Sequence, residues 1–327
     1  MAIYRNQVSE IETPVVNKFN EDVLYGLTSS PKVLQSKYFY DAEGDKLFQM
    51  IMACPEYYLT NCELEIFSQQ TEKLAHAFLA RYKTFDIIEL GAGDATKSAY
   101  LLKYLSTQKF KFTYFPIDIS ENVISYLHKE LPIKVPGLVM TGLNGEYFEM
   151  INAANKRSLK RKLVLFLGSN IGNFTKQEAV EFLIEFNQCL APGDTVLIGF
   201  DLKKNPHQIL AAYNDKAGVT KQFNLNLLTR INHELGSNFD ISQFDHYASY
   251  DPLNGSCKSY LVSLKHQTVR ICDKTINFYK DEPIFMELSQ KYSLKETQDL
   301  AEKTGFKQVD LFYDSHQWYV DAVWEKQ

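Results

Sequence analysis

Two glycine-bearing stretches hold the residues best suited to do chemistry. The first, Glu89-Leu90-Gly91-Ala92-Gly93, ends the apolar run that begins at Phe85. A strand that turns on glycines into a helix lets the backbone approach a ligand, and the helix then offers free N–H groups at its first turn. Asp118 stands at the carboxyl end of a second apolar run, Phe112 to Ile119, about a strand and a helix later. An acidic residue there can accept hydrogen bonds from both hydroxyls of an adenosine ribose. Thr96 holds the position where a dinucleotide fingerprint needs a third glycine, and Glu89 discourages a pyrophosphate. Glu89 suits a cofactor with a positive sulfonium and an α-amino group. S-adenosylmethionine (SAM) fits these residues better than NAD or FAD.

The second stretch, Gly168-Ser169-Asn170-Ile171-Gly172-Asn173-Phe174, follows the apolar run Leu163 to Leu167. It falls at the carboxyl edge, where a doubly wound sheet binds ligands. Gly168 and Gly172 permit close backbone approach, and Asn173 offers both donor and acceptor groups. Nearer the N-terminus, Tyr38, Phe39, Tyr40, Phe48, Tyr57 and Tyr58 crowd around Asp41-Ala42-Glu43-Gly44-Asp45. Such ring density usually packs a core. Alternation with acidic and glycine residues turns several of these hydroxyls toward a site.

The elements that must position these residues read as alternating strands and helices. Helical spacing over Cys62 to Tyr82 leads into the strand at Phe85, and a helix over Asp94 to Leu105 follows it. A helix from Asn122 to Glu130 is capped at Ser120, and strands are expected at Leu138 to Leu143 and Leu163 to Leu167. A helix from Thr175 to Leu190 then precedes a strand from Thr195 to Phe200. This order implies a parallel sheet with helices on both faces.

Past Asp201 the pattern changes to helices, His207 to Tyr213 and Val219 to Leu235, then period-2 strands at Phe244 to Tyr250, Lys258 to Lys265, Val269 to Cys272 and Thr275 to Tyr279. That is an α+β insertion. The first pattern returns with a helix from Leu294 to Thr304, stopped by Gly305, and runs at Lys307 to Tyr313 and Trp318 to Trp324. Two strands joined so closely are antiparallel. A doubly wound, Rossmann-like sheet closed by a terminal antiparallel hairpin is the class I SAM-dependent methyltransferase arrangement. The expected division is residues 61–202 and 291–327 for the cofactor, with 1–60 and 203–290 forming a substrate-binding domain.

Composition narrows the function classes. With 45% hydrophobic and 23% charged residues, the chain is neither disordered nor membranous. A net charge of −5 without a basic tail gives no electrostatic affinity for nucleic acid or anionic lipid. Cys54, Cys62, Cys189, Cys257 and Cys272 lie far apart with no C-x-x-C, as expected for buried, reduced thiols in the cytoplasm. The histidines lack metal-ligand spacing, so no metal is expected. The expectation is a monomer acting on a small molecule.

Six segments carry a resemblance that runs from about residue 33 to the C-terminus: Phe39-Tyr40-Asp41, Pro55-Glu56-Tyr57-Tyr58, Glu89-Leu90-Gly91-Ala92-Gly93, Gly168-Ser169-Asn170-Ile171-Gly172-Asn173, Ala212-Tyr213-Asn214-Asp215 and Met286-Glu287-Leu288-Ser289. In order and spacing the chain resembles the histidine-specific Nα-methyltransferases of ergothioneine biosynthesis, which use SAM to convert L-histidine into Nα,Nα,Nα-trimethylhistidine (hercynine). The resemblance implies that Tyr57, Asn173 and Tyr213 hold the substrate carboxylate and amine, with Tyr40 near the amine and Phe48 packed against the substrate. It implies that Glu287 and Ser289 grip the imidazole, and that Gly168 borders substrate and cofactor alike. Glu89, Gly91, Ala92, Gly93, Lys97, Asp118 and Asn144 are the implied cofactor contacts, with Asn144 at the adenine amino group.

Two departures stand out. Ser259 occupies a place where the family often carries Met, which loosens side-chain selection, and Gly142-Leu143-Asn144-Gly145 replaces an Asp-Phe pair after the third strand. A methyltransferase for another amino acid, such as a tryptophan-type substrate, therefore stays open, as does a SAM-binding module without turnover.

Overall fold

The computed structural model describes residues 14–79 and 84–327. Its main sheet orders Phe306–Tyr313, Tyr319–Lys326, Thr195–Asp201, Arg161–Phe166, Thr84–Leu90, Lys111–Asp118 and Leu143–Asn144 side by side. Tyr319–Lys326 alone runs against its neighbours, as the terminal hairpin requires. The central strands are buried on both faces, which is why Leu163 to Leu167 reads as an unbroken apolar run and why Phe85 to Leu90 is apolar apart from the buried Asp86 and Glu89. This is the expected class I methyltransferase sheet.

Local signals set most boundaries. Ser120 caps the helix Glu121–Lys134, while Thr175 and Ser293 form capping boxes for Lys176–Gln188 and Leu294–Lys303. Gly236 and Gly305 follow helix ends at φ +63° and +81°. After Leu90 the helix starts later than expected, at Ser98. Gly91, Gly93 and Ala95 all adopt positive φ, so the chain turns three more times before it can wind.

Other expectations shift. The helix expected over Cys62 to Tyr82 is two, Tyr58–Gln69 and Thr71–Leu79, and its last residues lie outside the described residues. The strand expected at Leu138 to Leu143 reduces to a bridge between Tyr114 and Met140 and the short strand Leu143–Asn144. The strand expected at Lys258 to Lys265 is Ser256–Ser263. Cys272 is exposed in the tight turn of the small hairpin Gln267–Ile271 and Lys274–Phe278, unlike the buried Cys54, Cys62 and Cys257.

Beside the main sheet stands a second, ordered Lys32–Val33, Pro283–Gln290, Ser256–Ser263 and Phe244–Asp251. Its core joins Phe19, Phe39 and Leu47 from the N-terminal segment to Phe223, Leu228 and Met286 from the insertion. The N-terminal segment thus buries its rings against residues more than 150 positions away; Tyr40 and Phe48 pack on this core, and Tyr57 packs on it and on a core of the main sheet as well. Asp41 fastens this segment. It caps the helix Ala42–Met52 through the Gly44 N–H at 2.7 Å and accepts from Asn226 at 2.9 Å.

Candidate active site

The cofactor-side residues meet at the carboxyl ends of Thr84–Leu90 and Lys111–Asp118. Gly91 and Ala92 donate their N–H groups to the Ile117 carbonyl at 2.9 and 3.1 Å, which folds the turn back over the neighbouring strand. A Cβ at Gly91 would lie 2.7 Å from Asn170 Nδ2 and 3.1 Å from Tyr147 Oη, so only glycine lets both side chains close in. At Gly93, φ is +53° and a Cβ would meet nothing within 4 Å, leaving open space in front of the turn.

Asp118 accepts from the Gly93 N–H at 3.1 Å and the Ser120 N–H at 2.9 Å. Burial raises its pKa despite those donors, and carboxylate lone pairs remain for a ribose diol. Asn144 donates to the Asp118 and Ile119 carbonyls, both at 3.0 Å. Its amide oxygen is thereby turned outward as an acceptor, the polarity an exocyclic adenine amino group needs. Glu89 is buried against the Tyr114 hydroxyl, and loss of solvent pushes its carboxyl up to about 7.

Lys97 forms an ion pair with Glu63, a residue the sequence reading passed over. Glu63 is fully buried and also accepts from the Gly168 N–H at 2.9 Å and the Tyr319 hydroxyl at 2.9 Å. One carboxylate therefore fixes both Lys97 and the second glycine turn. Gly168 takes φ +71° and is exposed at the cleft. Gly172 packs that turn onto the second sheet: a Cβ there would stand 2.9 Å from the Gln290 carbonyl oxygen. Asn173 follows, exposed, its side-chain amide without a protein partner among the described residues.

On the side expected to take the substrate, four rings form a chain. Tyr40 meets Phe48 at a centroid distance of 5.6 Å, Phe48 meets Tyr57 at 6.5 Å, and Tyr57 meets Tyr213 at 6.3 Å. Burial holds the phenols of Tyr40, Tyr57 and Tyr213 well above their usual range, so all three stay protonated donors. For Tyr40, the charges of Glu287 and Asp118 add to burial in holding the phenol up.

Glu287 lies on Pro283–Gln290 and is partly buried. Its carboxylate has no hydrogen-bond partner among the described residues, and desolvation pushes it up to about 7 against the pull of Lys291. Ser259 is directly opposite in the antiparallel register and 2% exposed; its small side chain leaves the wall beside Glu287 low. Ser289 shares the Glu287 face two residues on, but its hydroxyl bonds Tyr213 Oη at 2.6 Å and Lys291 Nζ at 2.8 Å.

Sequence reasoning missed what lies behind these residues. Asp201, at the end of Thr195–Asp201, accepts from the Tyr58 hydroxyl at 2.8 Å and forms ion pairs with Lys291, at 2.6 Å, and Lys204. None of these has a motif-like spacing, so only the fold brings them together. Elsewhere Glu65, Asp314 and His316 place ligand-type atoms within 4.8 Å of one another. Their carboxylates already cap the backbone, Glu65 at Ser315 and Asp314 at His316, Trp318 and Tyr319. Among the described residues no helix is long and apolar enough to cross a membrane.

A family model described as "Histidine-specific methyltransferase, SAM-dependent" matches residues 19–326. The chain is 32% identical over 295 residues to a histidine N-alpha-methyltransferase of Mycolicibacterium smegmatis, covering 90% of each. It is 31% identical to ergothioneine biosynthesis protein 1 of Neurospora crassa, over 85% of this chain and 32% of that longer protein. An L-tryptophan methyltransferase of Psilocybe serbica is 28% identical over 91% of this chain and 90% of its own.

Proposed function

This chain belongs to the family of histidine-specific, SAM-dependent methyltransferases, and on that premise we propose that it methylates the α-amino nitrogen of L-histidine, up to three times, giving hercynine. One observation carries the substrate: Glu287, a carboxylate set into the cleft with no protein partner among the described residues. A partly buried, unpaired carboxylate favours a ligand that brings an N–H donor, and an imidazole does so.

The residues present fit SAM. Gly91 and Gly93 leave the cradle open, Asp118 keeps acceptor capacity for ribose hydroxyls, Asn144 turns an acceptor outward, and Glu89, Lys97 and Gly168 line the other end. When bound, SAM supplies an electrophilic methyl group on sulfur.

What the chain does is bind, align and exclude water. Tyr57, Asn173 and Tyr213 donate hydrogen bonds to the amino acid's carboxylate and amine, and Tyr40 lies beside the nitrogen. Holding the lone pair in line removes the entropy cost of a bimolecular encounter. The Tyr40 and Tyr57 phenols stay protonated, so they orient the amine without titrating it. As methyl groups accumulate the nitrogen becomes a fixed cation. The ring chain of Tyr40, Phe48, Tyr57 and Tyr213 receives it by cation–π attraction, worth about 0.5–2 kcal/mol.

Incubation with SAM and L-histidine, followed by mass spectrometry, should show mono-, di- and trimethylated histidine. Glu287→Ala should lower kcat/KM for histidine by about a hundredfold while leaving S-adenosylhomocysteine (SAH) affinity unchanged. Absence of methylated histidine at saturating SAM would reject the assignment. A second reading rests on Ser259: an indole also carries an N–H for Glu287, and the low wall opposite gives it room. A panel of amino acids in the same assay decides, with histidine expected to give the highest kcat/KM.

A further inference from the structure

Lys291 is wholly buried, and its ammonium has three protons for three acceptors: Asp201 Oδ2 at 2.6 Å, Tyr213 Oη at 2.6 Å and Ser289 Oγ at 2.8 Å. The Tyr213 and Ser289 hydroxyls also bond each other at 2.6 Å. Because both oxygens accept from Lys291, the pair keeps two hydroxyl protons and spends one on the mutual bond. The remaining proton has no acceptor among the described residues. This end of the cleft therefore offers a donor and, with its oxygens already accepting, little room for a second one.

Charge points the same way. Asp201 is shared by two ammoniums, Lys291 and Lys204, and the three side chains are 0%, 0% and 6% exposed respectively. One carboxylate against two cations leaves a buried excess of one positive charge behind Tyr213. Glu287, in the same cleft, supplies the opposite sign. A substrate with an anion at one end and an N–H donor at the other can then lie only one way round.

We propose that Lys291 is a positioning residue that orients the Tyr213 hydroxyl, directly and through Ser289, and, with Lys204, makes the Tyr213 end of the cleft a receptor for a carboxylate, so that amino acids are taken in preference to their decarboxylated amines. This rests on the reading of the site as one for histidine. An amine without the carboxylate leaves the buried excess charge and the free hydroxyl proton unanswered, which penalises its binding.

The test compares L-histidine with histamine, its decarboxylated analogue, in unaltered protein, in Lys291→Met, and in the double variant Lys291→Met with Asp201→Asn. In Lys291→Met, Asp201 and Lys204 neutralise each other, whereas the double variant loses the Lys291 hydrogen bonds but keeps one excess positive charge on Lys204, so the pair separates hydroxyl orientation from charge. The expected result is a rise of about tenfold to a hundredfold in KM for histidine, a smaller change in kcat, and unchanged SAH affinity. The histidine-to-histamine ratio of kcat/KM should fall by a similar factor. An unchanged ratio in a variant that still binds SAH, or loss of SAH binding in both variants, would overturn the proposal and leave Lys291 a purely structural residue. Failure of the unaltered protein to methylate histidine would instead overturn the functional reading.

Discussion

At the scale of the residue, Glu287 carries the most consequence, because its environment penalises the charge it needs. Its folded pKa, about 7, lies above the ordinary value of 4.5. The sign follows directly: stability associated with the protonated form is fully present below about pH 4.5 and is lost as pH rises through about 7. Relative to Glu287→Gln, the unaltered ligand-free protein should lose on the order of 1–2 kcal/mol between those limits, after discounting for its partial exposure. Thermal unfolding of both proteins from pH 4.5 to 8 measures this, and parallel curves would contradict it. Glu89 titrates near the same value but is present in both proteins, so it cancels.

Single residues were also where the sequence was most and least informative. Glu89, Gly91, Asp118 and Gly168 could be placed because strand-end chemistry and turn geometry leave a mark in one dimension. Glu63, Lys204 and Lys291 leave none. A buried charge is visible only once its partners, here up to 256 positions away, have been folded against it.

At the scale of the element, the turn Asn170–Asn173 joins the two sheets. It begins at the carboxyl edge of the main sheet, where Glu63 holds Gly168, and backs onto Gln290 of the second sheet through Gly172. Gly172→Ala would force a methyl group to within 2.9 Å of the Gln290 oxygen and 3.3 Å of its nitrogen. Backbone cannot yield cheaply, so the turn must move, at about 1–3 kcal/mol. The expected outcome is a lower denaturation midpoint together with a raised KM for histidine, since Asn173 rides on the same turn. Unchanged histidine kinetics in a destabilised protein would show that the turn does not position Asn173.

The strand Pro283–Gln290 was legible in principle: Ile284, Met286 and Leu288 are buried in alternation, the period of two that marks a strand. The helix Tyr147–Arg157 gave a fainter signal, because it buries only Ile151 and Ala154 along its length. Yet its first residue, Tyr147, lines the space beside Gly91. The strand expected at Leu138 to Leu143 was the least legible, because regular pairing there is limited to the two residues Leu143–Asn144. That pairing is confined to Ile117 and Asp118, and the glycines on either side are packed closely, Gly142 against Ile124 and His128 and Gly145 against Met150.

At the scale of the whole molecule, the cleft exists because a segment near the N-terminus packs with an insertion near the C-terminus. Phe39 and Phe223 touch at 4.7 Å between ring centroids, and Ser120 beside the cofactor sheet donates to Asp45 at 3.0 Å. The alternation of strands and helices announced the sheet, but no periodicity announces which remote segments will share a core. SAH at a hundredfold excess over its Kd should stabilise the fold by about 2.7 kcal/mol, while NAD should not. A thermal shift assay reads both, and equal shifts would contradict a SAM-specific cradle.

The central claim is that Glu287 and the Tyr213 end of the cleft grip histidine from opposite sides and turn its α-nitrogen toward the methyl donor. A crystal structure with L-histidine and SAH bound tests it most directly. The account predicts an imidazole N–H within about 3 Å of the Glu287 carboxylate, the substrate carboxylate at Tyr213, and the amine facing the SAH sulfur. Histidine bound with its imidazole in solvent, or its carboxylate beside Glu287, would contradict it.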